Sequence, residues 1–339
     1  MIAYLATFLA GAIFVKIINW IERTKIFAKR PLVVSGNHKD GYRLIHQRPF
    51  SFFLAAGTSA LYDQKIFGSE NFLIRLVQRY LRVSFQNKCN PCSTENIIAF
   101  ADSNGISHHG WEKDIHEYKS VDEFFTRKYA KGKLVVKKDS SAILAPSEGT
   151  VVGFRSLDVA TSIWIKQKHC TLKTMGIPDK IISKMGERQN IQVFKLDVYD
   201  LHRYYSPISG RVVARIDHLE PLRYSHSVRP VALKAGWDIM TENRRVIIVI
   251  EHNVTGEYLV MMIVGGIGID SVEVNVKEGA NIEQGEEIGM FHMGGSAILI
   301  ATPASDWKQR EDIEVASVIG VEVQTRIGDI MMKREKNVE

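Results

Sequence analysis

From about residue 142 the chain is a succession of short apolar, β-branched runs set apart by glycine-bearing turns: Gly149-Thr-Val-Val-Gly153, Ile191-Gln-Val-Phe-Lys-Leu196, Gly210-Arg-Val-Val-Ala-Arg-Ile216, Val246-Ile-Ile-Val-Ile250, Tyr258-Leu-Val-Met-Met-Ile263 and Ala297-Ile-Leu-Ile300. Runs of this length and composition predict strands, with turns at Asn253-Val-Thr-Gly256 and across residues 277–285. The expected class is α+β, with a mainly β body of barrel or sandwich type and a helical N-terminal region.

The front of the chain has a different texture. Residues 2–21 contain a single charge, Lys16, and are followed by Arg23, Lys25, Lys29 and Arg30. That order predicts a retained membrane anchor with the body of the protein on its basic side, or else an amphipathic helix lying on the protein or in the interface. In residues 71–85, Phe72, Leu73, Leu76, Val77, Tyr80 and Leu81 fall on one helical face and Arg75, Arg79 and Arg82 on the other. Such a helix either docks on its own domain or lies on a membrane surface.

Composition narrows the classes. With 45% hydrophobic and 24% charged residues in 339, the chain is neither disordered nor polytopic. Three cysteines cannot make a disulfide framework. The net charge of +6 is uneven: residues 1–100 hold 13 Lys or Arg against 5 Asp or Glu, and the remainder is slightly acidic. A basic leader beside apolar stretches suits an anionic membrane surface rather than nucleic acid. Cys89-Asn-Pro-Cys92 and His108-His109 are half a zinc site at most, so no metal is expected.

Gly294-Gly295-Ser296 interrupts what would otherwise be one apolar strand. A β-bulge or tight bend is the simplest account. The chemical account is that the serine hydroxyl attacks the unhindered glycine carbonyl, moving the acyl group from nitrogen to oxygen. β-Elimination of the ester then cuts the chain and leaves a pyruvoyl group, an electrophilic carbonyl that can take up an amine and act as an electron sink.

Six motifs in order carry a resemblance over residues 118–325. Ser120-Val-Asp-Glu-Phe-Phe-Thr-Arg-Lys128, Leu144-Ala-Pro-Ser-Glu-Gly-Thr-Val151, Asp200-Leu-His-Arg-Tyr-Tyr-Ser-Pro207, Thr241-Glu-Asn-Arg-Arg-Val246, Val264-Gly-Gly-Ile-Gly-Ile-Asp-Ser271 and Gln284-Gly-Glu-Glu-Ile-Gly-Met-Phe291 with the following G-G-S are similar to motifs of the phosphatidylserine decarboxylase family. The resemblance implies self-cleavage between Gly295 and Ser296, with Ser296 the precursor of a pyruvoyl cofactor and the two fragments remaining as partner α and β chains. It implies a relay in which an aspartate, here Glu148, orients a histidine, here Tyr205, that takes the serine proton. It also implies a substrate-handling role for His202. Arg127 and Arg203 are candidates for a phosphate headgroup or for tying loops together.

Both supporting relay positions depart from the pattern. Glutamate keeps the charge, but a phenol titrating near 10 is a poor base where an imidazole near 6.5 is well matched. Three readings stay open: His202 or His292 serves as base, cleavage proceeds without a full relay, or the chain keeps the fold without the reaction.

The resulting plan is an anchor with basic flank in residues 1–30, a helical or linker region in 31–117, the decarboxylase-like domain in 118–325 and a polar tail in 326–339. The implied activity is decarboxylation of phosphatidylserine to phosphatidylethanolamine at a membrane, with a homodimer left open. A decarboxylase of a soluble amino acid and a cleavage-dead lipid-binding homologue are the alternatives.

Overall fold

The structure, a computed structural model, describes residues 32–35, 43–46, 83, 86–160, 171–218, 239–265, 272–293, 296–304, 307–319 and 321–334. The expected anchor in residues 1–30, nearly all of the amphipathic segment 71–85, and Gly294 and Gly295 lie outside the described residues. Among the described residues no helix is long and apolar enough to cross a membrane.

Most of the described chain is β-sheet. The strands are β1 (Leu32–Ser35), β2 (Arg43–His46), β3 (Ala142–Leu144), β4 (Gly149–Phe154), β5 (Gln189–Lys195), β6 (Arg203–Tyr205), β7 (Gly210–His218), β8 (Arg245–His252), β9 (Tyr258–Gly265), β10 (Val272–Val274), β11 (Asn281–Ile282), β12 (Glu287–Phe291), β13 (Ser296–Pro303), β14 (Trp307–Gln309), β15 (Glu322–Thr325) and β16 (Ile330–Arg334). A ten-stranded sheet runs in the order β11-β7-β8-β9-β13-β5-β4-β15-β1-β2, beside two three-stranded sheets, β10-β12-β6 and β14-β16-β3. The expected strands appear as β4, β5, β7, β8, β9 and β13. The large sheet is open, with β11 and β2 as unpaired edges, so the expectation of a barrel is corrected.

Two further differences concern the ends of the plan. Residues 31–117, read as helix and linker, contribute β1 and β2, and β1 runs parallel to β15 at the margin of the large sheet. The stretch read as a polar tail contains β16, which pairs with both β14 and β3 and buries Met331 and Met332. Lys333 and Arg334 disguised a short apolar run that forms the middle strand of the sheet β14-β16-β3.

Both faces of the central strands are covered, which explains their continuous apolar texture. In β13, Ala297, Leu299 and Ala301 join Val152, Val193, Ile247 and Met262 in one core, while Ile298 and Ile300 join Phe194, Ile248, Met261 and Ile263 in another. The second core also takes Tyr204, Ile288 and Phe291 from the sheet β10-β12-β6. A third cluster gathers helices α1 (Thr94–Asn104) and α2 (Val121–Phe125) through Ile97, Ala101, Phe124 and Phe125, together with Met293. Helix α2 starts at Ser120, whose hydroxyl accepts the Glu123 N–H at 3.1 Å.

One ionic group lies inside this apolar architecture. Lys195 on β5 reaches across β4 to Glu322 on β15, with Nζ 2.6 and 2.7 Å from the two carboxylate oxygens, and Thr150 on the intervening strand donates to the same carboxylate at 2.5 Å. Both charged side chains are buried. Removing one partner of such a pair leaves a buried charge, so Lys195→Met is expected to cost about 3–5 kcal/mol in urea unfolding, whereas Lys195→Met with Glu322→Leu recovers most of that loss. Equal losses in the single and double variants would count against this account.

Candidate active site

Ser296 is the first residue of β13 and is already in the ladder. It pairs with Gly265 on β9, and its carbonyl accepts the Leu196 N–H at 3.2 Å. Alternation along the strand places its side chain on the face of Ile298 and Ile300. The residue is 2% exposed, and its hydroxyl has no hydrogen-bond partner among the described residues. A buried hydroxyl normally finds a partner, so an orphaned one marks a place where something other than stability sets the residue.

The two glycines before it connect different sheets. Strand β12 belongs to the sheet β10-β12-β6, and β13 is central in the ten-stranded sheet. The apolar run read as one interrupted strand is therefore two strands, and the chain changes sheets between Phe291 and Ser296.

Helix α2 collects the neighbouring groups. Phe125 lies against the His202 ring with centroids 3.7 Å apart, and His202 accepts the Phe291 N–H at its carbonyl, 2.8 Å, where β6 meets β12. The His202 Nδ1 is 3.0 Å from the Asp200 carbonyl, which can only accept, so Nδ1 carries the proton and Nε2 keeps a lone pair. Burial, reinforced by the Arg127 charge, lowers the His202 pKa to about 3, so the ring is neutral at physiological pH. Asp200 is held in the opposite sense: burial, with Asp197 and Glu148 as like charges and against an N–H from Asp197, raises its pKa to about 8.

Arg127 and Arg203 serve the loops. Arg127 is 1% exposed, donates to the carbonyls of Tyr199 at 2.7 Å and Asp200 at 3.2 Å, and lies 4.4 Å from the Trp111 ring centroid. Arg203 donates from Nε to the Thr126 and Arg127 carbonyls and pairs with Glu287 at 2.5 Å. These contacts tie the end of α2 to the loop at Tyr199 and Asp200 and to Glu287 on β12, which is the loop-tying one of the two roles expected of these arginines.

Glu148 and Tyr205 come near each other but do not form the expected pair. Glu148 accepts from the Tyr129 hydroxyl and, at 3.1 Å, from the Leu201 N–H. Gly149, with φ +127°, turns the chain there, and a Cβ on it would run into the Lys195 carbonyl. Tyr204 faces the core beneath β13, and the next residue, Tyr205, turns the other way, into a cluster with Leu201 and Ile327. Burial and the Glu287 charge raise the Tyr205 phenol well above its ordinary range, Arg203 opposing. It stays protonated and is no base.

Sequence reasoning missed two residues here. Tyr129 caps the Glu148 carboxylate, and Asp122 holds His292 and the Met293 N–H. Asp122 sits inside the Ser120-Val-Asp-Glu run that was read as a motif, but its partners are about 170 residues away, beyond any local signal.

The family model for phosphatidylserine decarboxylase matches residues 121–328, which contain Ser296, His202, Glu148, Tyr205, Arg127, Arg203, Asp122 and His292. The chain belongs to the phosphatidylserine decarboxylase family. It is 25% identical over 276 residues to the phosphatidylserine decarboxylase proenzyme of Clostridium tetani, covering 81% of this chain and 90% of that one. It is 26% identical over 243 residues to phosphatidylserine decarboxylase proenzyme 2 of Komagataella phaffii, covering 70% of this chain and 24% of the relative. The proenzyme 3 of Schizosaccharomyces pombe matches over 84% of this chain and 29% of its own length. The chain thus spans about a quarter of the fungal relatives it matches.

In this member of the phosphatidylserine decarboxylase family, the buried neutral His202 links stability to pH. Its folded pKa of about 3 lies below the ordinary 6.5, so the unfolded chain binds the extra proton between those values. The contribution is fully present above pH 6.5 and is lost as pH falls toward 3. In a Ser296→Ala background, the stability gap between the parent and His202→Asn should therefore narrow over that window in urea titrations. A gap that does not change with pH would contradict the assignment.

Proposed function

We propose that this chain is a proenzyme that cuts itself between Gly295 and Ser296 and then decarboxylates phosphatidylserine to phosphatidylethanolamine. The observation that carries the reading is the Ser296 hydroxyl: buried, without a partner among the described residues, at the first position of a fully laddered strand and directly after two glycines, inside the region the family model matches.

In the cleavage step the Ser296 oxygen forms a bond to the Gly295 carbonyl carbon, the peptide C–N bond breaks, and the hydroxyl proton ends on the released nitrogen. β-Elimination of the ester releases the Gly295 carboxylate and leaves dehydroalanine at position 296, and hydrolysis of its imine tautomer by water releases ammonia and leaves a pyruvoyl group at the new N-terminus. That group supplies an electrophilic carbonyl for the substrate amine and a sink for the electrons left when CO2 departs. The residues around Ser296 fit this use. The hydroxyl is desolvated and its strand is held on both sides, so its orientation is set before reaction.

His202 is assigned the handling of the substrate proton, a role supported by its neutral ring and the lone pair on Nε2. Glu148 holds the turn before β4 against Tyr129 and the Leu201 N–H, and so acts as an anchor. Tyr205 can donate a hydrogen bond but cannot remove the serine proton. Membrane association through residues 1–30 completes the reading, supported by the basic, partly apolar first 100 residues.

Intact mass under denaturing conditions tests the reading, with Ser296→Ala as control. The wild type should split into fragments of 295 and 44 residues, the smaller with a blocked N-terminus, and should release CO2 from phosphatidylserine vesicles. A single 38.3 kDa species in both samples, stable over days, would instead make the chain a cleavage-dead lipid-binding homologue.

A further inference from the structure

The segment entering the two glycines is fastened by one carboxylate. Asp122 Oδ2 meets His292 Nδ1 at 2.7 Å, and Oδ1 accepts the Met293 N–H at 3.0 Å. The other ring nitrogen of His292 lies 3.2 Å from Glu273 Oε2 on β10. The Met293 side chain is buried with Phe124 and Ile97 in the cluster beneath α2. Three residues later, Ser296 begins a strand bonded to β9 and β5. The chain is therefore anchored independently on both sides of Gly294-Gly295.

The ring contacts also define the state of His292. Ionised carboxylates only accept, so an imidazole placed between two of them must donate from both nitrogens, and only the imidazolium can do so. We propose that His292, clamped between Asp122 and Glu273, is a positioning residue for self-cleavage, a charged clip that fixes the chain before Gly294-Gly295 and so presents the Gly295 carbonyl to Ser296. This role rests on the function proposed above. His292 takes no part in the bond changes: the proton still passes from the Ser296 hydroxyl to the released nitrogen. After the cut, the same clip keeps the new C-terminus of the larger fragment on α2 while β13 keeps the new N-terminus in the sheet.

The surrounding charges favour this state. The Asp122 hydrogen bond raises the His292 pKa above its ordinary value against burial, with the Asp122 and Glu273 charges adding to it. Asp122 stays below the usual carboxylate range despite burial, because His292 and the Met293 N–H bond to it. Cys89, from the segment before α1, also faces Asp122, and its thiol is pushed up to about 11 by burial and by that carboxylate. His202, which also feels Asp122, is neutral. The neutral Cys89 thiol hydrogen-bonds to Asp122 beside His292, and neither it nor His202 brings a second charge to the clip at neutral pH.

The test follows the full chain from synthesis in a cell-free system, so that the uncut form is seen from the start. His292→Gln and Asp122→Asn should slow appearance of the 44-residue fragment by about 10- to 100-fold. The ratio of wild-type to His292→Gln rates should fall toward one as pH rises and His292 loses its proton. In uncut Ser296→Ala protein, imidazole 15N spectra should show both His292 nitrogens protonated at neutral pH, with Asp122→Asn moving the titration back toward the ordinary value. Rates unchanged by His292→Gln, or a rate ratio that ignores pH, or a singly protonated ring at neutral pH, would overturn the role. A wild type that never splits would remove the function reading and this role with it, and the nitrogen spectra would still show whether the clip exists.

Discussion

The hydrogen-bond ladder of β13 is the constraint on which the rest of the molecule depends. Its partners on both sides, β9 and β5, are themselves central strands, and both of its faces are covered by apolar clusters. A strand in that position has no freedom of register, because a slip of one residue would exchange its two faces. Ser296 is the first residue of this ladder, so the residue proposed to react sits in the least adjustable element, and β12 before it belongs to another sheet.

Around that point the structure uses burial to set charge. His202 is kept neutral by desolvation and Arg127, Asp200 is kept protonated near neutrality by desolvation and like charges, and Tyr205 is held as a phenol. His292, only a short way along the chain, is driven the other way by two carboxylates. His202 and His292 thus take opposite protonation states from their surroundings.

Arg127 binds the main-chain carbonyls of Tyr199 and Asp200, and Arg203 binds those of Thr126 and Arg127 together with the Glu287 carboxylate on β12. Glu148 does the same with the Leu201 N–H. Each of these charged groups lies in a motif shared with the family. In this structure their contacts hold loops in place.

Much of this was legible in the chain itself, for a physical reason. A strand buried on both faces must be apolar at every position, so β4, β5, β8, β9 and β13 announce themselves as runs, and a paired glycine before serine within such a run stands out because packing alone gives it no purpose. The short strands β1, β2 and β16 have too few residues to leave a pattern, and β16 ends in charges that read as a tail. The open sheet rather than a barrel was decided by which edges pair, a long-range property. The roles of Arg127, Glu148 and Tyr205 were likewise undetermined locally, because a side chain's partners depend on where distant segments arrive. The clearest case is Asp122 and His292: each is an ordinary residue in its own stretch, and only the tertiary packing of α2 against the end of β12 brings a carboxylate to within 2.7 Å of the ring.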